Sequence, residues 1–219
     1  MGVAQAGLAF RRTAAANDLP SLIAALCKST VALISHPNSR EFDIRRHDDI
    51  MVQNFGNVCF ISNDDLVWEY LEDQQKDATD LYKILGSPDE ILIFCQYESG
   101  GSFGYAFIEQ GKRTRSRLQT TGVPRLPPLM ESGTPKDFEN LWLSAKYYLE
   151  EDDVPPEERN KVYYQGDREI EVSEYGLTSR MLYEYLQKYF SVCPWETDLE
   201  PEYHFFKLTK EEKKWWRFW

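Results

Sequence analysis

The sequence predicts an α+β fold, a mainly antiparallel central sheet with helices packed on it. Three stretches carry that expectation. Residues 91–95, Ile-Leu-Ile-Phe-Cys, form an apolar run of the kind shown by a strand buried on both faces. The Ser-Gly-Gly-Ser segment at 99–102 turns the chain into a strand over 103–109, with Phe103, Tyr105 and Phe107 on one face. Gln110-Gly111-Lys112 turns it again into 113–118, so that 91–118 reads as a three-stranded meander at the centre of a sheet. Residues 177–190 supply the helical counterpart: Leu177, Met181, Leu182, Tyr185, Leu186, Tyr189 and Phe190 make a wide apolar stripe suited to packing on that sheet.

The remaining elements follow in order. Residues 3–10 suit a first strand. Asn17 or Asp18 then caps a helix with Pro20 in its first turn and Leu22, Ile23, Leu26 and Cys27 inward. A short apolar piece at 31–34 ends at the turn His36-Pro37-Asn38, and 42–44, 50–53 and 58–61 are candidate strands. Asn63 or Asp64 caps a helix through Leu71, and a second helix over 77–85 stops at Gly86-Ser87-Pro88. After the meander, the proline-rich segment 122–135 reads as a loop or extended arm without regular structure. A helix is expected over 138–149, then an acidic connector at 150–158 and a hairpin pairing 161–164 with 169–172. A strand over 203–208 leads into a basic-aromatic tail at 209–219. Residues 1–219 are read as one domain.

Composition narrows the function classes. The 219 residues are 42% hydrophobic and 28% charged, which is globular composition, and the net charge is −11. Phosphate backbones demand a basic face, so nucleic acid is not expected as a partner; a basic protein suits the charge better, although acidity also serves solubility. No run is long and apolar enough to span a membrane. The four cysteines, Cys27, Cys59, Cys95 and Cys193, are far apart and lie in apolar runs, as buried thiols of a reducing compartment do. The positive charges Arg11 and Arg12 follow the first apolar stretch rather than precede it, so no secretory signal is expected and the cytoplasm is the expected location.

No catalytic, cofactor or metal signature is legible. The Gly-rich turn at 99–104 leads into a strand, whereas phosphate loops open a helix. His36, His47 and His204 accompany no nucleophile motif, and the acidic pairs Asp48-Asp49 and Asp64-Asp65 fit no calcium loop, so they read as solvated surface with Asp64 as a helix cap. Charge does segregate. Residues 131–202 hold 18 acidic and 7 basic side chains, against 1 and 5 in 101–130. Three features are therefore candidate partner contacts. The first is the acidic connector, Glu150, Glu151, Asp152, Asp153, Glu157 and Glu158. The second is the stripe Arg113, Arg115 and Arg117, whose simpler reading is a solvated strand face. The third is the tail, with Trp215, Trp216 and Trp219, which either packs back on the domain or meets a partner.

The segment Ser102-Phe103-Gly104-Tyr105-Ala106-Phe107-Ile108-Glu109-Gln110-Gly111-Lys112, with the Arg-alternating strand after it, is one basis of a resemblance. Lys136-Asp137-Phe138-Glu139 and the Tyr175-Gly176 helix ending Tyr189-Phe190-Ser191-Val192 follow in the same order. Over residues 58–192 the chain resembles acidic immunity proteins of bacterial polymorphic or contact-dependent toxin systems. The resemblance implies a non-enzymatic protein that occludes a cognate toxin and needs no cofactor, and it assigns no functional residues. An enzyme with a cryptic carboxylate site, or an adaptor in a bacterial assembly, are the alternative expectations.

Overall fold

The structure, a computed structural model, describes residues 2–13, 18–35, 37, 42–121, 123–150, 153–157 and 159–209. In the first part of the chain β1 (Ala4–Arg11), α1 (Leu19–Cys27), β2 (Thr30–Ile34), β3 (Asp49–Phe55) and β4 (Val58–Ser62) precede the short helices α2 (Trp68–Glu72) and α3 (Thr79–Ile84). The meander follows as β5 (Glu90–Tyr97), β6 (Ser102–Glu109) and β7 (Lys112–Gln119). Next come β8 (Leu129–Gly133), α4 (Asp137–Leu143), β9 (Lys146–Leu149), β10 (Lys161–Gln165), β11 (Ile170–Ser173), α5 (Leu177–Tyr185) and β12 (Glu202–Thr209). Nine strands form one antiparallel sheet in the order β2-β12-β3-β4-β1-β5-β6-β7-β8, and β11-β10-β9 form a small second sheet.

The expected α+β architecture is thus present, with the middle of the sheet held by β1. That strand pairs with β4 on one side and β5 on the other, and Gly7 lies so close to its neighbour that a Cβ there would stand 2.3 Å from the Ile61 carbonyl oxygen. Helices cover both faces. On one, α1, α2 and α3 bury Leu22, Ile23, Leu71 and Leu81 against Leu8, Ile61, Ile93 and Ile108. On the other, Phe138 and Trp142 of α4 and Met181, Leu182 and Tyr185 of α5 pack on Phe60, Phe94, Tyr105 and Phe107. A strand between two helical layers has no solvated face, which is why 91–95 reads as continuously apolar.

Several expectations need correction. The proline-rich arm contains an edge strand, β8: its prolines at 124, 127, 128 and 135 flank the ladder residues 129–133, so no ladder N–H is lost. The Gln74 side-chain amide, oriented to satisfy both its polar atoms, donates to Glu131 O (3.2 Å) and accepts from Glu131 N (3.0 Å), closing the outer edge of β8. The helix expected over 138–149 ends at Leu143, where Ser144 Oγ bonds back to Asn140 O at 2.6 Å; Tyr147 and Tyr148 then pair with β10 as a strand. Residues 42–44 form no strand. The helix at 177–190 keeps its span, but Leu186–Phe190 winds as a π-helix. Asp18 caps α1, and the alternative cap Asn17 lies outside the described residues, as do His36 and Asn38. Asp49 belongs to no solvated pair: it is fully buried, accepts from Asp43 N at 2.8 Å and lies 3.3 Å from Lys207 Nζ.

Candidate functional site

Two of the three arginines of the stripe do not reach solvent, and the third, Arg113, is only partly exposed. A bulge opposite Phe107/Ile108 puts Arg113 across from Ile108 and Arg115 across from Phe107, so the three arginines do not share a face. Arg113 turns to the α2–α3 side and donates to the Asp73 and Lys76 carbonyls at 2.9 and 3.0 Å. Arg115 and Arg117 turn to the α4–α5 side, where they are 1% and 5% exposed. This corrects the expectation of a partner contact at Arg115 and Arg117: helices cover both faces of β7, so its charges must be neutralised internally.

The neutralising groups are two glutamates. Arg115 Nε donates to Glu139 at 2.9 Å, its terminal nitrogens reach Glu131 at 2.8 Å and the Ser132 carbonyl at 3.2 Å, and Arg117 meets Glu131 at 2.6 Å and Thr178 Oγ1 at 3.0 Å. Glu139 is wholly buried. Its carboxylate also accepts from the Tyr105 hydroxyl, the Lys136 backbone N–H (2.7 Å) and the Tyr185 hydroxyl (3.0 Å). Four donors on one buried carboxylate tie β6, β7, α4 and α5 together, and no solvent path is needed to satisfy any of them. Burial alone would depress the Arg115 pKa, but Glu139 outweighs it and raises it; Arg115 and Arg117 in turn hold the Glu131 carboxyl low against its own burial.

The same cluster sets an alkaline limit on stability. Burial, then the negative charge of Glu139, raises the Tyr105 and Tyr185 phenols above their usual 10.0, and burial pushes the Cys59 and Cys193 thiols from 9.0 to about 12. Each group binds its proton more tightly folded than unfolded. The stability this confers is complete below the unfolded values and is lost as pH rises through and beyond them. Thermal unfolding monitored against pH should therefore show Tm falling from about pH 9 upward. Reversible ionisation of all thirteen tyrosines with the fold intact contradicts this assignment.

One surface that carries both exposed aromatic side chains and carboxylates is the small sheet with the loop between β9 and β10. Tyr163 and Val172 pack against the α4–α5 core and fix the sheet to the body. Strand pairing places Val162 opposite Tyr148 and Tyr164 opposite Glu171, so Tyr148, Tyr164 and Glu171 share the other face. Gly166, Asp167 and Arg168 all have left-handed backbone (φ 56°, 51° and 72°), a turn that brings the Arg168 guanidinium within 4.7 and 5.3 Å of the Tyr148 and Tyr164 ring centres. Tyr148 donates to Glu171 at 3.1 Å. On the Tyr163 side, beyond the packed part, Tyr147 (51% exposed), Leu149 and Ile170 stand out into solvent, as does Tyr175 (55%).

The acidic connector borders this sheet. Glu150, anchored by its backbone to Asn160 O at 3.0 Å, and Asp153 and Glu157 are exposed; Glu151, Asp152 and Glu158 lie outside the described residues, as do Trp215, Trp216 and Trp219. Residues 146–176 carry 10 acidic and 4 basic side chains, a net −6 in 31 residues. Sequence reasoning found the loop and missed the tyrosine surface beside it, because the run 146–149 was absorbed into a helix; the paired Tyr147-Tyr148 and Tyr163-Tyr164 doublets were the available signal. Among the described residues no three His, Cys, Asp or Glu side chains converge as a metal site requires. His47 Nδ1 lies 2.8 Å from Asp65, an exposed pair, and His204 lies 3.2 Å from Glu202. Among the described residues no helix is long and apolar enough to cross a membrane. Comparison of the chain with family models, curated proteins and solved structures returns no match.

Proposed function

We propose that this chain is a non-enzymatic binding protein, an immunity protein of the bacterial toxin-neutralising kind, and that it occludes a basic cognate toxin with the small sheet and its acidic loop. The supporting observation is the pairing of exposed aromatic and apolar side chains (Tyr147, Leu149, Ile170, Tyr175) with exposed carboxylates (Glu150, Asp153, Glu157) on one anchored element. Tyr is among the side chains that most often anchor protein interfaces, since its ring buries large area at small loss of rotamer freedom. Carboxylates around such anchors speed and orient encounter with a basic surface.

The test is genetic and then physical. A toxin gene immediately upstream of this one should arrest growth when expressed alone, and co-expression of this chain should restore growth. Arrest unrelieved by the chain, or a locus composed only of metabolic enzymes, overturns the reading. The purified pair should associate more slowly as salt is raised, because exposed charges are screened beyond a Debye length of about 10 Å at 0.1 M.

A further inference from the structure

We propose that the cavity between the α2–α3 loop and the start of β7 is a binding site for a small phosphoryl-bearing anion. The cavity holds about 590 Å³, a size suited to a small ligand, between residues 74–79, 111–115 and 132–133. The charged residues lining it on this side of the sheet are Lys76, Lys112 and Arg113 against Asp77; Arg115 also borders it, but its side chain lies on the opposite face. In a chain of net charge −11 this is a local reversal of sign.

The cations are not equally committed. Arg115 is neutralised by Glu131 and Glu139, and Lys76 by Glu69. Arg113 is hydrogen-bonded only to two backbone carbonyls, which fix the plane of the guanidinium; the Asp73 carboxylate acts on its charge from a distance, and no carboxylate stands within ion-pair reach of it among the described residues. Lys112, the residue before it, is exposed and likewise without an ion pair among the described residues. Burial lowers the Arg113 pKa, the mark of a cation held where its charge is unfavourable. A dianion entering the cavity offsets two adjacent positive charges at once, and a positioned guanidinium beside a lysine is the donor set that phosphoryl oxygens match. A second cavity of about 550 Å³ shares Thr114 and Gly133 and is lined by Lys136, which pairs with Glu109, by Lys188 and by Asp137.

This inference stands apart from toxin binding, since the cavity and the small sheet share no residue. Inorganic phosphate titrated into the full chain, at ionic strength held constant with chloride, tests it by amide chemical shifts. Saturable shifts should be confined to residues 74–79, 111–115 and 132–133. Lys112→Ala, at an exposed position, should weaken phosphate binding by about five- to tenfold, the worth of one solvent-exposed charge contact. Lys146→Ala on β9 should leave it unchanged. Shifts that do not saturate, or an affinity equal in wild type and Lys112→Ala, overturn the site. Malonate binding as tightly as phosphate overturns its assignment to a phosphoryl group.

Discussion

Arg115→Ala should lower the stability of the folded chain by about 3–5 kcal/mol, the range for breaking a buried ion pair from one side. The reason lies in what is left behind. Glu139 keeps its three other donors, the two tyrosine hydroxyls and the Lys136 N–H, but its full charge then sits in the core without the cation that offset it. The Ser132 carbonyl and the inner side of Glu131 lose donors as well. Urea unfolding with an unchanged m-value is the measurement, and a fall in Tm of roughly 10 °C is its thermal counterpart for a chain this size. Arg115→Lys retains the charge but reaches one acceptor where the guanidinium reaches four, so it should recover only part of the loss. The double variant Arg115→Met/Glu139→Met should lose less than the sum of the singles, because neither charge is then stranded. A loss below about 1 kcal/mol for Arg115→Ala, the value of an exposed pair, would refute the network's role.

What was legible beforehand follows the same physics. Ala4–Arg11, the meander, the β10–β11 hairpin and the α5 span announce themselves because their apolar periodicity or turn chemistry is local. The fate of Arg113, Arg115 and Arg117 was not local. Period-2 alternation assigns them one face, and the bulge opposite Phe107/Ile108, which sends Arg113 to the other, leaves no signature in composition. Whether a charged strand face meets water depends on helices more than twenty residues downstream, and the partner of Arg115, Glu139, looks in sequence like any first-turn helix glutamate. Strand β8 was hidden by the prolines around it. Leu149 fitted a helical stripe with Phe138 and Trp142 but belongs to β9, so the candidate surface was half read: its carboxylates were visible and its tyrosines were not.

At the small sheet the two kinds of side chain should separate kinetically, and the separation tests the proposed function at residue level. Tyr147→Ala removes a half-exposed ring that packs against Tyr163 and carries Lys161, so it deletes one of the aromatic contacts the proposed function relies on. Its expected effect on toxin binding is a loss of about 2–4 kcal/mol, the size of an interface anchor, expressed almost wholly as faster dissociation. Replacing Glu150, Asp153 and Glu157 together by lysine should act on the other rate constant. These residues are exposed and form part of no buried network, so folding stability should move by no more than about 0.5 kcal/mol. Association should slow by about ten- to a hundredfold at low salt, and the difference from wild type should shrink as salt is raised. Surface plasmon resonance at two ionic strengths reads both. If Tyr147→Ala and the triple lysine variant both leave the rate constants unchanged while the chain still protects against the toxin, the contact lies elsewhere on the molecule. The sheet's exposed tyrosines would then lose the role assigned to them.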